Sequence, residues 1–360
     1  MAIIFTSIRP SLRRWLGQPI CGVNSQPTSL LLNQPVDILF QILECLPPES
    51  SMAVTLTCKS AFRAFFPAVK SRLDGPGLRN LLLLLEESVS RDLFFCHNCT
   101  RLHRFKSSWA PGCQYQSSLG LPCEPKVTNV GDLYIGFHHI RLVMNSHFFG
   151  PGHGLSLNRF ETKFTHRCTS WETHYAARIL QDQLFLRVSH RLLLNKKHHS
   201  ISTSIRTAIR NDCPHHICHH ITTHPPTRNP RDPYAVLPTQ IPDLTPLGGK
   251  FDNYSDDVKD FDNAPGSCCI CLTDFTTTVK QRKADSNSEP EMLDVAVVSY
   301  HQLGHCRSPS DWKWLTFSAP YSQYPSGFIT RANHAEPYYD LGGVKKRWDM
   351  GDSKVFMDSK

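Results

Sequence analysis

The sequence predicts an α+β chain, with a small N-terminal helical module followed by an irregular, mostly antiparallel β-containing domain that carries zinc sites. Three observations predict it. Apolar residues recur at helical spacing within residues 29–70. From Asp132 onward the apolar runs shorten and partly alternate, as half-buried strands do. Cysteines, 14 in all, cluster after the helical module and several fall in C-x2-C pairs.

Composition bounds the answer. A chain of 360 residues has room for one large domain and a small one, and 40% apolar residues can build a core. Twenty-six prolines and 19 glycines imply many turns and irregular loops. The net charge of +8 is modest, and metal-bound thiolates would lower it, so it is no nucleic-acid signature. No secretory signal of normal form is visible, because AIIFTSI is too short for its apolar core. The leucine run at 81–85 is far short of the roughly 20 apolar residues of a membrane span. With 14 cysteines and no such signal, zinc thiolates in a reducing compartment are expected over a disulfide scaffold.

The elements follow in order. Residues 1–28 read as a flexible arm. Next, Ile38, Leu39, Ile42, Leu43 and Leu46 fall on one helical face. Pro35 suits the first turn of that helix, and Pro47-Pro48 ends it for want of N–H donors. A new helix starts at Pro48, with Glu49, Ser50 and Ser51 facing its free amides, and Ala53, Leu56, Cys58, Phe62 and Phe65 give a second apolar set. So small a unit buries little surface and reads as a module that a partner completes. In the segment 77–126, LRNLLLLLEESVSRDLFF is expected to be a helix leading into a Cys-rich, metal-binding stretch. The strand-rich region 127–194 holds DLYIGFHHIRLVMN, FETKFTHRCTSWETHY and DQLFLRVSHRLLL, with GPGHG at 150–154 as a tight turn rather than a phosphate loop. Residues 195–265 are a loop insertion, with seven histidines between His198 and His224 and seven prolines between Pro225 and Pro246. Residues 266–330 carry the second cysteine pair, the strand DVAVVSY and the loop LGHCRSPSDWKW. Residues 331–360 are expected to be a disordered tail.

Two metal-ligand constellations stand out. Cys96 and Cys99 form a C-x2-C pair, and Cys113 and Cys123 are placed to complete a zinc tetrahedron, with His97 and His103 as alternative ligands. Cys268 and Cys271 form a second pair, for which Cys213 and His215 are the chosen partners, with His216 and Cys218 as alternatives. Four protein ligands leave no open position for water, so both sites would be structural.

The stretch LLNQPVDILFQILECLPPESSMAVTLTCKSAFRAFF resembles an F-box, the module that docks a protein onto the adaptor of a cullin-type ubiquitin ligase. Gln34-Pro35 stands where the family usually has Leu-Pro, and Phe62 where it often has tryptophan. Beyond the F-box, FFCHNCTRLHRF, LVMNSHFFGPGHGLSL, WETHYAARILQDQLFLRVSHRL, the CPH at 213–215, SCCICLTDF and LGHCRSPSDWKW resemble a group of filamentous-fungal F-box domain proteins. The resemblance implies a substrate receptor of a Skp–cullin–F-box ligase. Its partners would be a Skp-type adaptor, a cullin scaffold and an unidentified protein substrate, with no membrane. The adaptor-binding residues it implies are Pro35, Ile38, Leu39, Ile42, Leu43, Leu46, Leu56 and Phe62, and the compartment is cytoplasm or nucleus. Arg9, Arg13 and Arg14 precede the first acidic residue, Asp37, as in a mitochondrial presequence, but an F-box has no known use there.

Two other classes were weighed. A zinc-dependent nucleic-acid-binding or general protein-interaction protein would use the basic group Arg101, His103, Arg104 and Lys106, which no aromatic platform accompanies. An enzyme finds no G-x-S-x-G elbow, P-loop or H-E-x-x-H, and leaves only lone thiols such as Cys168 or Cys306. The expectation is a non-enzymatic chain with no catalytic residue.

Overall fold

The computed structural model describes residues 34–88, 93–106, 123, 127–130, 133–165, 171–195, 216–222, 261–262, 266–282, 292–318 and 340–357. The chain divides into two units, residues 1–105 with 145–154, and residues 106–144 with 155–360. The arm at 1–28 lies outside the described residues.

In the first unit the proline punctuation sets the helices. Helix α1 (Val36–Cys45) starts after Pro35, and its end at Leu46 turns extended before Pro47. Helix α2 (Pro48–Leu56) begins on Pro48, whose missing N–H costs nothing in a first turn. The last carbonyls of α1 have no partner within the helix, and two later residues supply one. Ser51 Oγ donates to Leu43 O at 2.6 Å, while Arg72 Nη1 reaches Leu43 O at 3.0 Å and its Nη2 reaches Glu44 O at 3.3 Å.

Arg72 closes helix α3 (Lys59–Arg72), whose first turn is capped by Cys58 Sγ accepting from Ala61 N. Helix α4 (Gly75–Ser88) is capped by Asp74 Oδ1, which accepts from Gly77 N at 2.7 Å. Leu43, Met52, Phe65, Leu81 and Leu82 bury into one shared core. The helix expected to run on through LFF ends instead at Ser88, and Leu93–Cys96 forms strand β1, paired antiparallel with β2 (Arg101–Arg104). Phe95 of β1 packs into the helical core. The buried carboxylate of Glu86 accepts from Phe95 N at 2.9 Å and Asn145 Nδ2 at 2.8 Å, tying hairpin and helix together.

In the second unit, β3 (Val127–Val130) and β4 (Leu133–Gly136) form a two-stranded ribbon. The expected strand DLYIGFHHIRLVMN is strand only over β4, and from Phe137 it is helix α5 (Phe137–Phe149), whose residues from Asn145 on, with the turn after them to Gly154, are part of the first unit. Residues 137–145 are all buried, so the helix has no polar face, and its sequence lost the period that would have announced it. GPGHG is a turn, with Gly150 at φ +98 and Gly154 at φ +90, a region open to glycine.

The main sheet is antiparallel and runs β10 (Phe261–Asp262), β12 (Thr273–Arg282), β13 (Met292–Gly304), β7 (Gln183–Asn195), β6 (Trp171–Leu180), β5 (Thr162–Thr165), with β11 (Gly266–Ser267) also on β12. The alternation in β6 is the clearest sequence match: Trp171, Thr173, Tyr175 and Ala177 are buried, and their neighbours are not. Cross-strand registers place Tyr175 opposite Val188 and Val188 opposite Ser299 on that same face. A small hairpin, β8 (His216–Cys218) with β9 (Ile221–Thr222), lies inside the expected loop insertion.

Helix α6 (Trp312–Ser318) follows β13, and the expected disordered tail contains helix α7 (Gly343–Met357). Val344 and Trp348 bury against Phe185, Leu272 and Tyr300 on the second face of the sheet. The guanidinium of Arg178 lies 4.4 Å over the Trp348 ring. Asp274, buried in β12, accepts from Val344 N at 2.7 Å and Lys345 N at 2.9 Å, so a carboxylate from the sheet caps the helix. No helix among the described residues is long and apolar enough to cross a membrane.

Two outcomes are expected. Leu43→Asp puts a charge at a 3% exposed core position and destabilises the first unit by more than about 3 kcal/mol, read as a lowered thermal midpoint. Trp348→Ala costs about 3–5 kcal/mol in denaturant titration of the second unit.

Candidate metal centres

The first cysteine pair sits on the β1–β2 hairpin. Cys96 ends β1, Cys99 lies in the turn, and Thr100, at φ 51, closes it with its N–H on Cys96 O at 2.9 Å. This tight turn brings Cys99 Sγ to 3.0 Å from Nε2 of His103 on β2. The ligand atoms of Cys96, Cys99 and His103 all lie within 4.8 Å of one another, Cys96 buried and the other two half-buried. His103, weighed as an alternative ligand, thus joins the pair. His97, the other alternative, instead meets Arg79, whose Nη2 is 3.1 Å from its Nδ1. Cys113 lies outside the described residues. Cys123 is in no disulfide, is half-buried and belongs to the second unit.

The second centre is held wholly within the second unit. Cys268 and Cys271 occupy the turn between β11 and β12, and Cys218 and His220 come from the β8–β9 hairpin. Their four ligand atoms lie within 4.8 Å of one another, and all four residues are buried. His220 Nδ1 stands 3.6 Å from Cys268 Sγ and 3.8 Å from Cys218 Sγ. The chosen partners Cys213 and His215 lie outside the described residues. Cys218, weighed as an alternative, is in the group, and His220 was missed. Cys218 pairs with Ile221 across the two-residue turn His219-His220, and that turn has none of the glycine or asparagine cues that announce a hairpin, so no sequence signal marked His220 as a ligand.

The cysteine turn is built to carry negative charge. The backbone N–H groups of Ile270 and Cys271 donate to Cys268 Sγ at 3.4 and 3.5 Å. Burial alone would raise the Cys268 pKa, but hydrogen bonds from Cys218, Cys271 and His220 outweigh it and hold it well below the usual thiol range. Burial pushes the Cys218 and Cys271 thiols up. Without a cation the pocket therefore favours one thiolate and resists three, and a divalent metal would supply the missing countercharge.

A polar chain runs behind Cys271. Its Sγ is 3.1 Å from Thr273 Oγ1, which is 3.0 Å from His301 Nδ1, and His301 Nε2 is 2.9 Å from Ser299 Oγ. Burial lowers His301 from 6.5 to about 3, so the ring is neutral. With Nδ1 protonated, every donor in the chain points toward sulfur: Ser299 to His301, His301 to Thr273, Thr273 to Cys271.

Two Cys/His groups compatible with metal binding are therefore present among the described residues. Cys306, weighed as a thiol nucleophile, is fully buried, and that burial raises its pKa well above the usual value. Cys168 lies outside the described residues. On the helical module, Leu43 and Leu56 belong to the core, Leu39, Leu46 and Phe62 pack against it, and Pro35, Ile38 and Ile42 remain exposed. No protein-family model, no curated protein and no solved structure matches this chain.

The neutral His301 gives stability a pH dependence. Its folded pKa of about 3 lies below the ordinary 6.5, so between those values the unfolded chain takes up a proton that the folded one refuses. Its contribution is complete above pH 6.5 and falls away as the pH drops toward about 3. Denaturant midpoints measured across that window should fall less steeply for His301→Gln than for the natural chain.

Proposed function

We propose that the chain is a substrate receptor of a Skp–cullin–F-box ubiquitin ligase, with residues 29–70 docking the Skp-type adaptor and the second unit holding a protein substrate. The observation that carries this reading is the state of α1. Val36, Ile38 and Ile42 are exposed at 56%, 41% and 37%, while the same helix packs Leu39, Phe40 and Leu43 against the core. Ile38 and Ile42, at i and i+4, form an apolar pair left in water on one face of the helix, which is characteristic of a face that a partner covers. Proline on either side keeps the helix short and its face defined.

In this reading the adaptor meets Pro35, Ile38 and Ile42 directly. Leu39, Leu46 and Phe62 contribute their accessible edges, and Leu43 and Leu56 act from within by holding α1 in place. The work done is proximity: the receptor raises the local concentration of substrate lysines beside the ubiquitin-charged enzyme. No side chain of this chain performs a bond-making step. Zinc held by Cys96, Cys99 and His103 would be structural, a clasp on the β1–β2 hairpin.

The test is co-expression of the full chain with a fungal Skp-type adaptor, affinity purification, and metal analysis of the eluate. A stoichiometric complex is expected. Ile38→Asp with Ile42→Asp should abolish capture of the adaptor and leave the thermal midpoint of the chain within about 2 °C, because both side chains already face water. Undiminished capture by that variant would sink the assignment of the face. Absence of any complex from soluble, metal-loaded chain would sink the receptor reading.

A further inference from the structure

We propose that Cys218, His220, Cys268 and Cys271 hold one zinc ion in a closed tetrahedral site, and that this ion fixes the turn on which the C-terminal helix α7 docks. The inference goes beyond the receptor reading and stands whether or not α1 binds an adaptor.

The geometry fits the ion. Zinc–sulfur bonds of about 2.3 Å and zinc–nitrogen bonds of about 2.0–2.1 Å put the sulfur–nitrogen edge of a tetrahedron at roughly 3.5 Å. The two edges from His220 Nδ1 measure 3.6 and 3.8 Å. Three thiolates and an imidazole, buried and without an oxygen donor, select zinc over magnesium, calcium or manganese. None of the three cysteines is in a disulfide. The polar chain Ser299–His301–Thr273 ends 3.1 Å from Cys271 Sγ, and with His301 protonated on Nδ1 it can deliver the hydroxyl donor that a metal-bound thiolate, which can only accept, requires.

The same short turn carries two sets of side chains. Cys268 and Cys271 project to the metal group, while Ser267 and Asp274 project to α7. Ser267 Oγ donates to Asp274 Oδ1 at 2.7 Å and accepts from Gly342 N at 2.9 Å. Asp274 takes the amides of Val344 and Lys345. The backbone between the two sets is itself closed, with Cys268 N on Thr273 O at 2.9 Å and Thr273 N on Cys271 O at 2.8 Å. Loss of the ion removes the cross-link between this turn and the β8–β9 hairpin, and any opening between Cys268 and Thr273 moves Ser267 and Asp274 off the helix amides.

The experiment uses the full chain. Zinc is measured by elemental analysis in the natural chain, in Cys99→Ala and in Cys271→Ala. Cobalt is then exchanged into Cys99→Ala, where only the second group is intact. Cys99→Ala should keep about one equivalent of zinc and show tetrahedral cobalt absorption with thiolate-to-cobalt charge transfer, and Cys271→Ala should lose about one equivalent relative to the natural chain. Metal content unchanged in Cys271→Ala overturns the site. If that variant is insoluble, the cobalt spectrum of Cys99→Ala decides, and an octahedral or absent spectrum overturns it. Docking is read separately by trypsin cleavage at Lys345, Lys346 and Arg347 in the natural chain with and without a chelator. Metal removal should speed those cuts by at least about tenfold. Equal cleavage rates in a chain that demonstrably binds and loses the metal overturn the coupling and leave the site standing.

Discussion

Strands β7 and β13 pair antiparallel over nearly their full length, from Asn195 opposite Met292 to Leu184 opposite Gly304. A slip of one residue along this ladder would send Val188, His190 and Leu192 to the other face and bring Arg187 and Arg191 inward. The second unit depends on that register. It sets which face of the sheet carries Tyr175 and Val297, and it lines up Phe185 and Tyr300 under α7. It also aligns Thr273, His301 and Ser299 along one row beside the cysteine turn.

Polar groups buried in such a sheet are costly unless each finds a partner. Here they are organised rather than scattered. Thr173 Oγ1 lies 3.0 Å from His190 Nδ1 on the neighbouring strand, His301 is held from both ring nitrogens, and Asp274 spends its carboxylate on helix amides. The metal group belongs to this set. Two backbone amides reach Cys268 Sγ, and the Thr273 hydroxyl lies beside Cys271 Sγ.

The sequence was most legible where one rule acted alone. Proline placement and the Ile38-to-Leu46 period located α1 and α2, while FETKFTHRCTSWETHY, expected as a strand, covers β5 and only the first half of β6. It was least legible where two environments overlapped. Residues 137–145 are buried all round, so helical period was invisible and strand was expected. The run Leu184-Phe185-Leu186 is apolar on both faces because α7 covers the second face, a sign that something from farther along the chain had to lie there. α7 itself, polar on balance, read as a tail because its docking rests on two side chains and a cap from Asp274, which no local pattern reveals. For the metal groups, the C-x2-C pairs were plain, but partners from a hairpin some 50 residues earlier are chosen by sheet topology, which spacing alone does not encode.

The end of α1 is held by Ser51 and Arg72, residues from the two helices that follow it. The consequence concerns the thermodynamics of association. A helix whose carbonyls are already satisfied and whose direction is already set loses little backbone freedom when its exposed face is covered, so the ordering cost that weakens flexible recognition segments is largely absent. Association at such a face would bury apolar surface without coupled folding. Its heat-capacity change would then scale with the contact area alone, and its association rate would carry no conformational delay.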